Sequence, residues 1–443
     1  LTEWSFRSVF ARATYAYRSK YLLEGNFRYD GTSRIFKDSR WGFFPSASAA
    51  WRVSEENFIK EGAPWIENLK IRGSYGKLGN ANIGDYPWQE TYTTTSYAFN
   101  NSLEQGILQT AYRNRKLEWE KTAITNIGLD FNLRNDHLYG TLEWYNKYTT
   151  GILAGAIIPA SSGMSAPTVN YGEFKNHGVE LEVGHRNKIG QIEYDLNAQI
   201  SINRNKVIKF PAPAFGNRII EEGRPYNDYY LYEYIGIFKT EEQLKAVETP
   251  GNPQLGDLRF KDQNNDGKID GNDRIPVKGA YPGYIYAFGA NLKWKSFDLS
   301  LFFQGVEGQK VRTFFFGEDP FSQGSSPHPK FLDAYDPITN PDSDIPSIYG
   351  FGYAPMTGNV AQNSTYFLKN ASYLRLKNIQ LGYNIPATVL KKVGVQSLRL
   401  FLAGDNLLTF TKYPDLDPER AEDGWHAQYP QLKVVSVGLN LKF

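Results

Sequence analysis

The chain has 443 residues with Cys 0 and Met 2, so neither a disulfide framework nor a thiolate metal site is available to it. Lys+Arg 49 against Asp+Glu 47 leaves a net charge of +2, which gives no electrostatic case for nucleic acid or for an acidic partner. Aromatics reach 15%, with Tyr 30 and Phe 28 beside Gly 40, a composition that favours sheet over helix.

The chain opens on "LTEWSFRSVFARATYAY", which alternates almost from its first residue and carries no signal peptide. We therefore read 1–443 as the C-terminal portion of a longer protein. Period-two alternation then recurs throughout. In "KYLLEGNFRY", Tyr21, Leu23, Gly25, Phe27 and Tyr29 share one face, and Leu22, Glu24, Asn26 and Arg28 the other. "QIEYDLNAQISIN", "YAFGANLKW" and the C-terminal "KVVSVGLNLKF" repeat the pattern. Strands are predicted near 5–17, 20–30, 42–53, 67–76, 117–134, 137–153, 174–187, 191–203, 286–295, 297–309, 371–384, 396–410 and 431–443. Many exceed the usual strand of roughly 5–6 residues. They suit the tilted strand of roughly 9–11 residues that crosses a bilayer.

No run of 18 apolar residues is present, so no transmembrane helix is expected. The connections point instead to strands in a membrane. Odd connections are mostly short ("RSK", "NDH", "KIG", "KS"), with "SEENFIKEGAPWIE" and "IPATVLKKVGV" as longer members. Even connections (31–41, 77–116, 154–173, 204–285, 310–370 and 411–430) are mostly long. Alternating short and long loops belong to an outer-membrane barrel with short periplasmic turns and long extracellular loops. A soluble sandwich has no reason to segregate loop length by parity. One strand face is aliphatic and aromatic and the other polar, and Tyr15, Tyr17, Trp51, Trp144 and Trp294 near strand ends suit interfacial girdles. The expected fold is all-β: a transmembrane antiparallel β-barrel. Single-chain bacterial barrels have even strand numbers, so an odd count places further strands upstream. The last strand then runs toward the periplasm, with Phe443 and the C-terminus there.

One stretch differs from the strands around it. "DQNNDGKIDGND" (262–273) spaces oxygen donors around Gly267. Asp262, Asn264, Asp266, the Lys268 carbonyl, Asp270 and Asp273 fall on the ligand positions of a calcium loop, with Gly267 at the sharp turn. Asp273 replaces the usual Glu, which shortens the last arm. Neither flank reads as a helix. A structural calcium staple for the long extracellular loop 204–285 is therefore favoured over a sensor, and a metal-free loop of Asx turns is the alternative.

Catalytic patterns are missing. His137, His177, His185, His328 and His426 form no HExxH, no GxSxG or P-loop occurs, and Glu180 with Glu182 reads as a row on one strand face rather than a glycosidase pair. Loop aromatics offer stacking surfaces for a substrate: Tyr229, Tyr230, Tyr232 and Tyr234, then Tyr349, Phe351 and Tyr353, and Trp425. Packing within a large loop is the competing explanation for each.

Several stretches together carry a family resemblance: "GDLRFKDQNNDGKIDGNDRIPVKGAYPGYIYAFGANLKWKSFDLSLFFQGVEG" (256–308), "LEWEKTAITNIGLDF" (117–131), "NASYLRLKNIQLGYNIP" (370–386), "LFLAGDNLLTFTKYPDLDPE" (400–419) and "FRYDGTSRIFKDSRWGFFPSASAAWRVSEENF" (27–58). The chain resembles the C-terminal half of a SusC/RagA-type TonB-dependent outer-membrane transporter. The resemblance implies the last thirteen strands of a barrel of about 22, with the plug and TonB-box regions outside this sequence. It further implies a SusD-like surface lipoprotein as lid, import of oligosaccharides or peptides driven through TonB, contact with membrane lipids and lipopolysaccharide, and room for a dimer of transporter–lipoprotein pairs. No chemistry on the substrate is implied. A calcium-stabilised barrel for adhesion or binding without transport is the alternative, and a barrel enzyme would need a nucleophile–base pair that the sequence does not display.

Overall fold

The computed structural model describes residues 3–210, 216–312, 326, 329–348, 363–390, 394–414, 417–419, 429 and 431–443. Thirteen strands make up its main antiparallel sheet, and each corresponds to one of the thirteen expected from alternation. The chain divides into two compact units, one centred on 1–213 and the other on 227–443.

In the first unit, eight strands lie side by side in chain order: β1 (Phe6–Tyr17), β2 (Tyr21–Thr32), β3 (Trp41–Arg52), β4 (Ile66–Asn80), β5 (Glu120–Leu133), β6 (Leu138–Gly155), β7 (Thr168–Ile189) and β8 (Ile192–Lys209). Their register makes the two faces chemically distinct. Tyr15, Leu23, Ala49, Gly73, Ile127, Trp144 and Val179 are successive direct partners across β1–β7 and form an apolar row. One residue earlier on β1, the row Thr14, Glu24, Ser48, Ser74, Asn126, Tyr145 and Gly178 faces the other way and is polar except at its glycine. A one-residue slip would exchange the two faces, so the alternation fixes the register.

The second unit repeats the design with five strands: β9 (Tyr284–Trp294), β10 (Phe297–Glu307), β11 (Tyr373–Asn384), β12 (Ser397–Thr411) and β13 (Val434–Lys442). Leu292, Leu299, Leu381, Leu402 and Val437 form its apolar row. These apolar faces are exposed to the surroundings rather than buried in protein, with Val437 84% and Trp144 40% accessible. Among the described residues no helix is long and apolar enough to cross a membrane. The exposed apolar rows are the pattern that the lipid side of a barrel wall requires.

The expected girdle residues lie on this surface. Tyr17 stacks on Tyr21 (6.5 Å) and Tyr21 on Trp51 (6.4 Å) at one end of β1–β3. Tyr29 stacks on Trp41 (4.9 Å) toward the other end. Tyr21 and Tyr29 are separated along β2 by about 26 Å of strand at about 3.3 Å per residue. That is near the height of the apolar band of an outer-membrane barrel before tilt shortens it, about 25 Å.

The turns 18–20, 134–137, 190–191 and 295–296 are tight, and each uses left-handed backbone: Arg18 (φ 51) and Ser19 (φ 54), Asn135 (φ 58) and Asp136 (φ 61), Gly190 (φ 59) and Lys295 (φ 53). Such conformations match the twist of the flanking strands. The long connections are richer than expected. Within 81–119 a two-stranded hairpin stands out, Thr91–Phe99 with Ser102–Ala111. The loop expected at 204–285 is shorter at both ends, because β8 continues through Lys209 and β9 begins at Tyr284. The polar run "NRNK" hid the continuing alternation. Similarly, β7 begins at Thr168, ahead of the expected 174.

Most of the buried apolar residues lie in these connections and near strand ends, not along the sheet. Tyr232, Ile237, Leu258, Phe260, Ile269, Tyr335 and Phe367 form a core within the second unit. Ile35, Phe44 and Trp119 form a smaller one in the first.

Candidate functional site

The connection between β8 and β9 holds both the calcium-type loop and the first group of candidate aromatics. Short strands frame it: Asp228–Tyr232 pairs with Arg274–Val277, and Tyr234–Ile237 with Leu258–Phe260. The loop 262–273 is thus flanked by strands on both sides, and the helices of an EF-hand sensor are not there.

The loop closes through its own amides. The Asp262 carboxylate accepts from Asn265 N (2.6 Å) and Gly267 N (2.9 Å). Asn264 Oδ1 accepts from Asp266 N, and Asp266 Oδ1 from Lys268 N. The turn needs left-handed backbone at Asn265 (φ 59) and Gly267 (φ 85). Asp273 is fully buried, and one carboxylate joins both halves of the loop by accepting from Gln263 N (2.8 Å) and Asp270 N (2.7 Å). Ile269 anchors the loop in the core, with backbone bonds in both directions between Glu248 and the 267–269 segment. The amide of Asn272 and the Lys268 ammonium hold the Asp270 carboxyl below its usual range. Among the described residues no three His, Cys, Asp or Glu side chains converge closely enough to share a metal ion. The residue types and spacing match a calcium loop, but in this arrangement the carboxylates point to loop amides.

The aromatics divide. Tyr229 is buried, with the Arg218 guanidinium 3.8 Å from its ring centre and its hydroxyl donating to the Lys310 carbonyl (3.0 Å). Tyr232 is buried between Phe260 (5.4 Å) and Arg274 (5.0 Å). The expected stacking surface is therefore covered at both, because the connection is long enough to build a core and uses its largest rings to fill it. Tyr230 is half-buried, and Tyr234 meets Tyr366 edge-on (5.1 Å). Tyr349, Phe351, Tyr353 and Trp425, like His328 and His426, lie outside the described residues.

Three polar clusters escaped the sequence reading. On the polar face of the first unit, Arg72 joins Glu143 (2.6 Å), Asp130 (3.3 Å) and Asn126 (3.1 Å), while Lys70 reaches Asp130 (3.0 Å). Lys70 and Arg72 are two apart on one strand, a signal that period-two reading offers. At the short-turn end, Glu56 accepts from Lys20 Nζ (2.8 Å), Tyr21 Oη (2.8 Å) and Trp51 Nε1 (3.2 Å). Those three donors, Lys20 foremost, hold its carboxyl at about 2. In the second unit, Arg375 is buried with Asp417 at 2.7 Å and Glu419 at 2.6 Å, and Lys377 also reaches Glu419 (2.6 Å). Burial alone would raise the Asp417 carboxyl, but Arg375 and the amides of Gln431 and Glu419 outweigh it and hold it low.

Comparison with known proteins follows the same architecture. The family model described as "TonB dependent receptor-like, beta-barrel" matches residues 2–407. TonB-dependent receptor P3 of Formosa agariphila is 31% identical over all of this chain and 46% of its own length. TonB-dependent receptor SusC of Bacteroides thetaiotaomicron is 27% identical over 98% of this chain and 43% of its own. The structure of the RagAB peptide transporter is similar with a TM-score of 0.82 at 26% identity, covering 99% of this chain and 48% of that one. The RagAB peptide importer in its closed-closed state gives 0.81 at 27%, over 100% and 48%. The chain spans about half the length of the curated relatives it matches.

Proposed function

The chain belongs to the TonB-dependent receptor β-barrel family, and from that membership we propose that it forms the C-terminal barrel wall and outer loops of a nutrient importer in the bacterial outer membrane. In this reading the importer takes up oligosaccharides or peptides, is energised through TonB by parts of the protein outside this sequence, and works with a SusD-like surface lipoprotein. The observation that carries it is the segregation of connections: the tight turns fall at one end of the strands, beside connections holding the short helices Asn57–Gly62 and Ala387–Leu390, and the longest connections, with strands of their own, fall at the other. That asymmetry suits a wall with one plain rim and one elaborate, ligand-facing rim. The likeness to SusC and to the RagAB importer supports the pairing with a lipoprotein. The orientation that follows turns the long connections outward and Phe443 toward the periplasm.

Calcium in the loop 262–273 belongs to the same proposal, as a staple that would add ionic closure to a loop already closed by amides. Asp262, Asp266 and Asp270 would supply carboxylate oxygens to it.

The test is mass spectrometry of what co-purifies with the full-length protein from outer membranes in mild detergent. A surface lipoprotein in the complex, with uptake that depends on TonB, is the expected result. The protein alone, without TonB-dependent uptake, would replace the importer with an adhesion barrel.

A further inference from the structure

β4–β7 are interior strands, paired on both sides, and their apolar face changes character toward the long connections. Lys77, Ala123, Tyr148 and Lys175 are successive direct partners there. Each stands an even number of residues from Gly73, Ile127, Trp144 or Val179 on its own strand, so the row shares their face. Between the two rows lie Tyr75, Thr125, Asn146 and His177. β8 continues the change. Its Tyr194 stacks on His185 (5.5 Å), the partner of Leu138 on this face. Alternation from Tyr194 through Ile202 then brings Arg204 and Lys206 onto it, both exposed. Toward the tight turns the same face runs through Ile71, Leu129, Leu142 and Leu181, then Leu133, Leu138 and His185, with no Lys or Arg among these partners.

The wall does not match these cations itself. Among the described residues no carboxylate pairs with Lys77, Lys175 or Lys206. The carboxylates nearby are engaged, Glu173 by the Tyr148 hydroxyl and Glu118 by Lys121 (3.1 Å). Depth gives the setting. Lys175 and His185 are separated along β7 by about 33 Å of strand at about 3.3 Å per residue. A tilt of about 40° brings that to about 25 Å, the height of the apolar band of an outer-membrane barrel. The lysine row therefore stands at headgroup depth, where a leaflet presents phosphates. Lys77 and Lys175 are three strand spacings apart, about 14 Å. A single phosphate cannot reach both, whereas a disaccharide with a phosphate at each end can. Acyl chains hanging from such a disaccharide would pass Thr125, Asn146 and His177, which can bond their amide and hydroxyl groups, and then cover Ile127, Trp144 and Val179. We propose that this end of β4–β8 binds the phosphorylated disaccharide of lipid A, the anchor of lipopolysaccharide. The proposal rests on the importer reading for its orientation, since that reading turns this end toward the outer leaflet.

The experiment is native mass spectrometry of the full-length protein in mild detergent, titrated with bisphosphorylated lipid A, with lipid A stripped of its phosphates and with phosphatidylglycerol. Bisphosphorylated lipid A should bind about tenfold or more tighter than either of the others. Lys77→Gln and Lys175→Gln should weaken it about fivefold each and about thirtyfold together, as loss of a cation beside anionic lipid does. Both replace lysines that no carboxylate pairs with, so the melting temperature should stay unchanged. Lys60→Gln, which removes an exposed cation at the tight-turn end, should leave binding as it is. Absence of lipid A binding, equal binding of the dephosphorylated form, or binding that the double variant leaves intact would each overturn the proposal. Phosphatidylglycerol that binds as tightly as lipid A and weakens in the same variants would overturn it in favour of a general phosphate site. Lipid A binding retained by a protein without TonB-dependent uptake would overturn the importer reading and leave this site standing.

Discussion

Tyr139 on β6 and Gly184 on β7 are direct partners in the antiparallel ladder, and the tyrosine ring occupies the place where a β-carbon on Gly184 would stand. The same relationship joins Tyr286 to Gly305 and Phe401 to Gly438, while at Gly178 and Gly140 a β-carbon would meet a backbone carbonyl as well as the side chain of Tyr145 or Phe131. A glycine in a strand forfeits packing and entropy, and an aromatic ring laid across it restores buried surface. Tyr139 is also held from outside the pair, by its bond to Asp195 (2.7 Å) and by Arg186 at 4.5 Å. Gly184→Ala should force the ring off its rotamer and cost about 1–3 kcal/mol, the usual range for overpacking. Tyr139→Ala alone should also destabilise. The double variant should lose less than the sum of the two, because the added methyl then enters vacated space. Thermal unfolding of the four proteins in detergent closes the cycle, and strict additivity would mean that ring and glycine do not act as a unit.

Glu56 makes the short-turn end pH-sensitive. Its carboxyl ordinarily titrates at 4.5 and here at about 2. A group whose folded value is depressed contributes stability that is complete above the unfolded value and is lost as pH falls through the folded one. The contribution should therefore be full above about pH 4.5 and gone below about 2. Glu56→Gln should flatten that part of the acid limb in a series of melts between those limits. An unchanged limb would show that the Lys20–Glu56–Tyr21 contacts are too well solvated to matter.

The buried cluster of the second unit gives a contrast between neighbours. Arg375 and Asp417 are almost fully buried, whereas Lys377 keeps about a fifth of its side chain exposed. Asp417→Ala leaves a buried guanidinium with Glu419 as its one carboxylate, beside the Thr409 hydroxyl, and removing one partner of a buried pair costs about 3–5 kcal/mol. Lys377→Ala, at the partly solvated rim, should cost about 1 kcal/mol or less. The melting temperatures of the two variants check this. Equal losses would mean that the cluster behaves as a surface network.

Much of this molecule is written in period two. Thirteen strands could be placed because each repeats apolar and polar residues over enough positions for the two faces to separate. Glycine carries no side chain to mark either face, although at Gly178 and Gly184 it leaves the room that the Tyr145 and Tyr139 rings take. Within the connections the pattern fails, since a strand such as Leu258–Phe260 is too short to show a period. The hairpin 91–111 was within reach. Asn100 and Asn101 both take left-handed backbone, φ 49 and 62, and Asn-Asn after the Thr- and Tyr-rich segment 91–99 is a hairpin signal. The Arg375 cluster was not within reach, because Arg375 lies on a strand and its partners lie 42 and 44 residues away in the connection after the next strand. Burial of Tyr229 and Tyr232 was hidden for a related reason: sequence displays a ring but not the core that closes over it.

The loop 262–273 separates two kinds of closure, and a pair of variants distinguishes them. Asp273 is buried and bonds amides from both halves of the loop, so Asp273→Ala should destabilise this region whether or not calcium is supplied. Leaving buried N–H groups without acceptors costs about 1–3 kcal/mol each. Asp266 is exposed, and its carboxylate accepts only from Lys268 N and the Asn264 amide within the loop. Asp266→Ala should therefore be mild without metal. If the proposed calcium staple operates, this substitution also removes an oxygen ligand, so elemental analysis should show less bound calcium and chelator should no longer change proteolysis of the connection 210–283. Calcium content that is unchanged in Asp266→Ala, or a wild-type protein indifferent to chelator, would leave amide closure as the whole explanation of the motif. In that case the even spacing of Asp262, Asn264 and Asp266 serves the turns themselves: each side chain caps the backbone a few residues ahead, and Gly267 supplies the bend that lets Ile269 reach the core.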